Sequence, residues 1–162
     1  MNGQPNNPSI QSVYGILSEY RRTLPSIQLS GPTLFGPVLK EFHRYVMQFA
    51  GQPVYQILMI ITDGQINDMP ETKRQIVNLS KLGCSVIIIG VGNADFSGMN
   101  ELDGDGSLLR DDGGNACERD IVQFVAFNEA IKMGNLAEIV LKEIPRQFCD
   151  HMAKIGFKPV PV

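Results

Sequence analysis

The run Tyr55-Gln-Ile-Leu-Met-Ile-Ile-Thr-Asp63-Gly64 constrains this chain more than any other stretch. Six of the seven residues from Gln56 to Thr62 are apolar or β-branched, and an acid and a glycine follow at once. A continuous apolar run of this length reads as a strand buried on both faces of a parallel sheet, without the alternation of a half-exposed strand. Ser85-Val-Ile-Ile-Ile-Gly-Val91 repeats the pattern. Between them, a proline in the first turn and Glu71 near the positive end predict a helix over about 70–82, with Ile76, Val77 and Leu79 inward and Gly83 as its cap. Strand, helix and strand make a βαβ unit with a right-handed crossover, which sets the class as α/β. Asp63 then lies at the carboxyl end of the first strand, where open α/β sheets bind ligands. The competing reading is an Asp-Gly turn that only reverses the chain.

Elsewhere the periodicity alternates between helix and loop. Residues 1–8 are an irregular lead-in of Asn, Gln, Gly and Pro. From Ser9, a plausible N-cap, Ile10, Val13, Ile16, Leu17, Tyr20 and Leu24 recur at helical spacing until Pro25 stops them. Ser30-Gly-Pro-Thr33 leads into a second helix through Leu34, Phe35, Val38, Leu39, Phe42, Val46 and Phe49, and Thr33 at its entrance reads as an N-cap. A short helix is predicted over 94–102, a polar, glycine-rich and mobile loop over 103–115, and a third strand over 120–127. A last helix runs from about 136 towards 155 with a kink or restart at Pro145, before an extended tail, 157–162.

Composition excludes several function classes. With a formal net charge of -3 there is no global attraction to nucleic acid or an anionic membrane. Cys84, Cys117 and Cys149 stand far apart in no zinc or disulfide spacing, so a reducing, cytoplasmic setting is expected. The N-terminus lacks the features of a signal peptide, and no apolar run approaches a membrane span.

Candidate chemistry is sparse. Asp103, Asp105, Asp111 and Asp112 concentrate acids without the register of a calcium loop, so a solvated loop is the better reading. Gly90-Val-Gly lacks the third glycine of a dinucleotide fingerprint. Cys84 reads as a small core hydrophobe, and His43 and His151 stand on separate helices with no serine or cysteine arrangement beside them. Lys132, Lys142, Arg146, Lys154 and Lys158 read as a solvated basic face. No catalytic constellation is visible, and a non-enzyme is expected. The competing class is a nucleotide-using α/β enzyme, which would need a closed pocket with convergent polar groups.

Leu29-Ser-Gly-Pro-Thr-Leu-Phe, Ile60-Ile-Thr-Asp-Gly-Gln-Ile-Asn-Asp-Met, Ile88-Ile-Gly-Val-Gly-Asn-Ala-Asp-Phe, Met99-Asn-Glu-Leu-Asp-Gly-Asp and Glu143-Ile-Pro-Arg-Gln occur in that order. Together with Glu118-Arg-Asp-Ile-Val-Gln-Phe-Val125 they resemble the von Willebrand factor A-type domain of the copines over nearly the whole chain, 1–162. Copine-like RING ubiquitin ligases share that domain. The resemblance implies a partial doubly wound, Rossmann-like, mostly parallel sheet flanked by helices. It also implies a metal-ion-dependent adhesion site at the strand ends, in which Thr33 and Asp63 match two of three loops. The first loop, Asp-x-Ser-x-Ser or Asp-x-Thr-x-Ser, is absent; Asp95-Phe-Ser97 lacks the second hydroxyl and follows the wrong strand. Magnesium or manganese is therefore expected in the intact domain and an empty or solvent-bridged site here.

The resemblance further implies a protein-interaction module that binds partners through the strand-end face. In its parent protein, calcium-dependent phospholipid-binding modules absent from these residues would recruit it to the plasma membrane. Because the family's first strands would lie beside 55–62, that strand is expected to be an edge, open to pairing with a second copy.

Overall fold

The structure is a computed structural model and describes residues 3–4, 7–104 and 107–158. The chain divides into two compact units, residues 1–32 and 33–162.

The first unit carries α1 (Ser12–Thr23) and a 3-10 turn, Leu24–Ser26. Gln11 precedes the helix, and Ser12 Oγ accepts the Gly15 N–H (3.3 Å), so the expected cap at Ser9 is replaced by a residue three further on. Pro25 sits inside the 3-10 turn, where a missing donor costs nothing.

The second unit is built on a three-stranded parallel sheet: β1 (Gln56–Thr62), β2 (Cys84–Gly90) and β3 (Val122–Ala126), in the order β1-β2-β3. Gln56 pairs with Cys84 and Thr62 with Gly90; Val86 pairs with Val122 and Gly90 with Ala126. With α2 (Gly36–Met47), α3 (Met69–Leu79) and α4 (Ser97–Asp103), this is the α/β architecture read from the sequence, consistent with a partial Rossmann-like von Willebrand factor A fold.

Because side chains alternate across a strand, the register sorts the core. Leu58, Ile60, Val86, Ile88, Val122 and Phe124 face one way and pack with Leu39 and Val46 of α2, Ile76 and Leu79 of α3, and Met99 and Leu102 of α4. On the other face Ile87, Ile89 and Val125 pack with Ala130 of α5 (Phe127–Met133), Ile139 and Val140 of α6 (Leu136–Leu141) and Ile144 of α7 (Ile144–Lys154). All seven residues of β2 are buried. Each fully buried Ile or Leu contributes about 1.5–3 kcal/mol, so Ile87 and Ile88 of this central strand add substantially to the core on both faces.

β1 departs from the reading of a strand covered on both faces. Ile57, Met59 and Ile61 are 47%, 50% and 68% exposed: among the described residues of the second unit, no helix covers their face of the sheet at its edge. Further shifts are local. Gly83 does not cap α3, which ends at Ser80; a methyl group there would meet His151 Nε2 at 2.7 Å. α5 was not predicted, because Phe127 through Met133 continues without a turn signal straight out of β3. The break at Pro145 is a restart, with the proline in the first turn of α7. In the acidic loop, Asp105 lies outside the described residues. Arg110 and Ala116 form an antiparallel bridge, and Asp111 accepts the backbone and side-chain N–H groups of Asn115, closing a tight turn where a mobile loop was expected.

Candidate functional site at the strand ends

At the carboxyl end of β1 the chain turns at Asp63-Gly64, where Thr62 Oγ1 accepts the Gly64 N–H (3.4 Å). The next turn binds the segment before α2 through a reciprocal pair. Asn67 Oδ1 accepts the Thr33 N–H (2.8 Å) and Asn67 N–H donates to the Thr33 carbonyl (3.0 Å). This clamp brings the Thr33 hydroxyl against Gly64, 3.6 Å from where a Cβ would stand. The two residues singled out in the sequence, Thr33 and Asp63, thus come from adjoining turns and are both exposed.

Thr33 does not cap α2. The helix begins at Gly36 and its preceding residue makes no side-chain cap. Its free amides are taken instead by Asp68, whose Oδ1 accepts the Phe35 N–H (2.9 Å) and Oδ2 the Gly36 N–H (2.8 Å). Oδ1 also accepts the Thr72 hydroxyl (3.2 Å) inside α3. An anion at a helix start satisfies otherwise unpaired N–H groups and the positive end of the dipole. Asp68 therefore fixes the distance between the Thr33 and Asp63 turns.

In the loops that follow β1 and β2, an open depression of about 230 Å³ is lined by Gln65, Ile66, Asp95, Ser97, Gly98 and Met99. Gln65 Nε2 donates to Asp95 Oδ2 (3.3 Å), linking the loops after β1 and β2. The backbone N–H and hydroxyl of Ser97 hold the Asp95 carboxyl below its ordinary range. No group of three or more His, Cys, Asp or Glu side chains is arranged for a metal among the described residues. Thr33 and Asp63 offer one hydroxyl and one carboxylate, which do not amount to the near-octahedral oxygen set that magnesium requires.

The family model for copines matches residues 1–160. The chain belongs to the copine family. It is also 44% identical over 168 aligned positions to nicotinic receptor-associated protein 1 of Caenorhabditis briggsae, an alignment covering 96% of this chain and 27% of that protein. The copine chain thus spans about a quarter of the curated relative it matches.

The opposite end of the copine sheet holds a polar network that no motif announced. Ser85 Oγ donates to Gln147 Oε1 (2.5 Å) and lies 2.7 Å from the Tyr55 hydroxyl, which donates to the Cys84 carbonyl (3.1 Å). Tyr55 accepts from Arg119 Nη1 (3.1 Å), whose Nη2 donates to the carbonyls of Leu82 and Cys84. Gln147 Nε2 continues the chain to Glu143 Oε2 (3.1 Å). This network pins α7 to β2 and to the approach of β3, a structural task.

The remaining candidates find structural roles too. Cys84 is buried, and burial pushes its thiol up to about 12. His151 is buried, which together with the charges of Arg119 and Lys154 lowers its pKa. Its Nδ1 has no hydrogen-bond partner. Within the C-terminal basic group, Lys154 pairs with Glu118, while Arg146 lies 3.7 Å from Asp120 and Glu143 and 3.8 Å from Asp150. Among the described residues no helix is long and apolar enough to cross a membrane.

Proposed function

We propose that this chain is the protein-interaction module of a copine-like, calcium-dependent phospholipid-binding protein, and that partners dock on its strand-end face. The observation that carries this reading is the exposed Asp63 turn, with the Thr33 hydroxyl drawn against its Gly64 by Asn67, while Gln65 and Ile66 just after it line an open depression rather than a closed pocket. An enzyme of this class would concentrate convergent, desolvated polar groups there. Here the carboxylate stands in water. The nicotinic receptor-associated protein matched above supports a membrane-receptor segment as the class of partner.

Magnesium or manganese enters this reading only where further oxygen ligands join Thr33 and Asp63. Cytoplasmic residence and calcium-driven recruitment to the plasma membrane belong to the parent polypeptide. Its calcium- and lipid-binding parts deliver the module, and these residues select the protein partner.

The test is a melting experiment on the full polypeptide and on this chain, each with and without magnesium or manganese, with Asp63→Ala and Thr33→Ala as controls. The reading expects an upward shift of several degrees in the full polypeptide, abolished by Asp63→Ala, and none in this chain. No ion effect in the full wild-type polypeptide removes the metal from the reading. Retention of partner binding by a folded Asp63→Ala protein removes the strand-end face.

A further inference from the structure

At the amino ends of the strands, away from the Asp63 turn, a pocket of about 120 Å³ opens between the turn after α2, the link from α3 to β2, and α7. Its apolar walls are Val46, Phe49, Val54, Leu82 and Ile155. That volume is roughly the share of four water molecules, enough for one aliphatic side chain. Every lining residue belongs to the second unit, and none comes from the uncovered edge at Ile57, Met59 and Ile61.

The polar part of the lining is positive or able to donate. No Asp or Glu lines the pocket. Lys81 stands exposed at its rim, and Glu118, the acid on which the Lys81 charge acts, is already paired with Lys154. The backbone N–H groups of Gly51 and Gly83, both lining residues, donate to no acceptor among the described residues.

His151 completes this set. The residue is only 7% exposed, and its ring makes no hydrogen bond among the described residues. Nδ1 is sealed from solvent, so Nε2 is the nitrogen that a ligand can reach. The Nε2 edge rests over Gly83, where a methyl group would lie 2.7 Å from it, so only a glycine leaves the ring its seat. A buried polar group without a partner is costly, and this one borders an apolar cavity.

We propose that the pocket binds the carboxyl terminus of a partner polypeptide that ends in an aliphatic residue. The last side chain fills the space between Phe49, Leu82 and Ile155, and the terminal carboxylate meets Lys81, His151 Nε2 and the free N–H groups of Gly51 and Gly83. Capture of a terminal carboxylate by backbone N–H groups is a recurring mode of peptide recognition. Charge complementarity selects this occupant: an internal apolar segment would leave those donors unmet, and a cationic one would face Lys81. Gly51 and Gln52 are exposed at the rim, so the rest of the partner chain can leave into solvent. The strand-end reading does not depend on this pocket.

A nuclear magnetic resonance titration of the chain with acetyl-Gly-Ser-Leu, carrying either a free carboxyl or a carboxamide, tests the proposal. The acid is expected to give saturable shifts at Gly51, Gly83 and His151, and the amide to bind about tenfold more weakly, the scale of one hydrogen bond to a charged group. Lys81→Glu alters an exposed residue and should weaken the acid by at least the same factor. His151→Phe keeps a ring against Tyr55 but loses the nitrogen, and should do likewise. Should His151→Phe fail to fold, Lys81→Glu and the comparison of acid with amide decide the matter.

Equal binding of acid and amide overturns the proposal, as does the absence of saturable shifts at Gly51 and Gly83 with millimolar peptide. Isovalerate that binds as tightly as the peptide also overturns it, because the ligand would then be a free small acid rather than a protein terminus.

Discussion

The Asp68 carboxylate caps a helix to which it does not belong: its Oδ2 accepts the Gly36 N–H at 2.8 Å, while Asp68 itself stands at the start of α3. One side chain thus joins two helices that pack on the same face of the sheet, and it sets the spacing of the Thr33 and Asp63 turns between them. The packing around it is tight. A methyl group on Gly36 would lie 2.7 Å from Asp68 Oδ2 and 2.4 Å from Glu71 Cγ.

Asp68→Ala removes the acceptors of Phe35 and Gly36, and the expected loss is about 1–2 kcal/mol, the scale of a lost cap. Asp68→Asn keeps one oxygen and should lose less. Gly36→Ala is expected to destabilise by a comparable amount through displacement of the same carboxylate. Urea unfolding of the three variants checks this; a neutral Asp68→Ala would show that the bridge contributes nothing.

The pH dependence of stability should carry a signature of Asp120. Burial raises its carboxyl to about 7, with added repulsion from Glu143 and Asp103, against the Val122 N–H that favours the charged form. An unfolded aspartate titrates near 3.9. Between these values the native state holds a proton that the unfolded state has released, so this group's contribution falls as pH rises from about 4 to about 7 and is flat above that. His151, with its pKa lowered, slopes the other way, losing stability as pH falls below its unfolded value near 6.5. The difference between wild type and Asp120→Asn isolates the aspartate, since Asn keeps an oxygen for Val122. The variant should be the more stable at pH 8, by a margin that shrinks towards pH 4. A pH-independent difference would refute the assignment.

How much of this was legible in the sequence depended on the kind of signal. β1, β2 and the helix between them carry uninterrupted apolar runs and helical spacing, which are properties of local sequence, and their positions agree closely with the structure. The half-bare face of β1 carries no such signal, because Ile57, Met59 and Ile61 read the same whether or not a helix covers them. Asp63 and Thr33 could be singled out, but not the Asn67 and Asp68 contacts that bring them near each other, since those reach across more than thirty residues. The network of Tyr55, Ser85, Arg119 and Gln147 was invisible for the same reason: each is an ordinary polar residue until the fold gathers them.

Thiol reactivity should separate the cysteines. Burial pushes Cys84 up to about 12 and Cys117 up to about 11, whereas Cys149 is exposed on α7. A thiolate reagent at pH 8 is expected to label one thiol per chain rapidly and the others only after unfolding. Cys149→Ser should abolish the rapid phase. A second fast thiol in the native protein would show that the core around Cys84 or Cys117 opens.

The buried chain from Tyr55 through Ser85 to Gln147 should behave as one unit. Gln147 is 1% exposed and accepts the Ser85 hydroxyl, so Ser85→Ala leaves its oxygen in the core without that donor, at a cost of about 1–3 kcal/mol. Tyr55→Phe removes the hydroxyl that lies against Ser85 Oγ and donates to the Cys84 carbonyl, and it frees one end of Arg119, whose Nε is already without a partner. Because both substitutions cut the same chain, the double variant should cost less than the two singles together, with a coupling of about 0.5–3 kcal/mol. Chemical denaturation of the four proteins of the cycle measures this. Strict additivity would mean that Tyr55 and Gln147 hold α7 to the sheet independently, through packing rather than through the Ser85 hydroxyl between them.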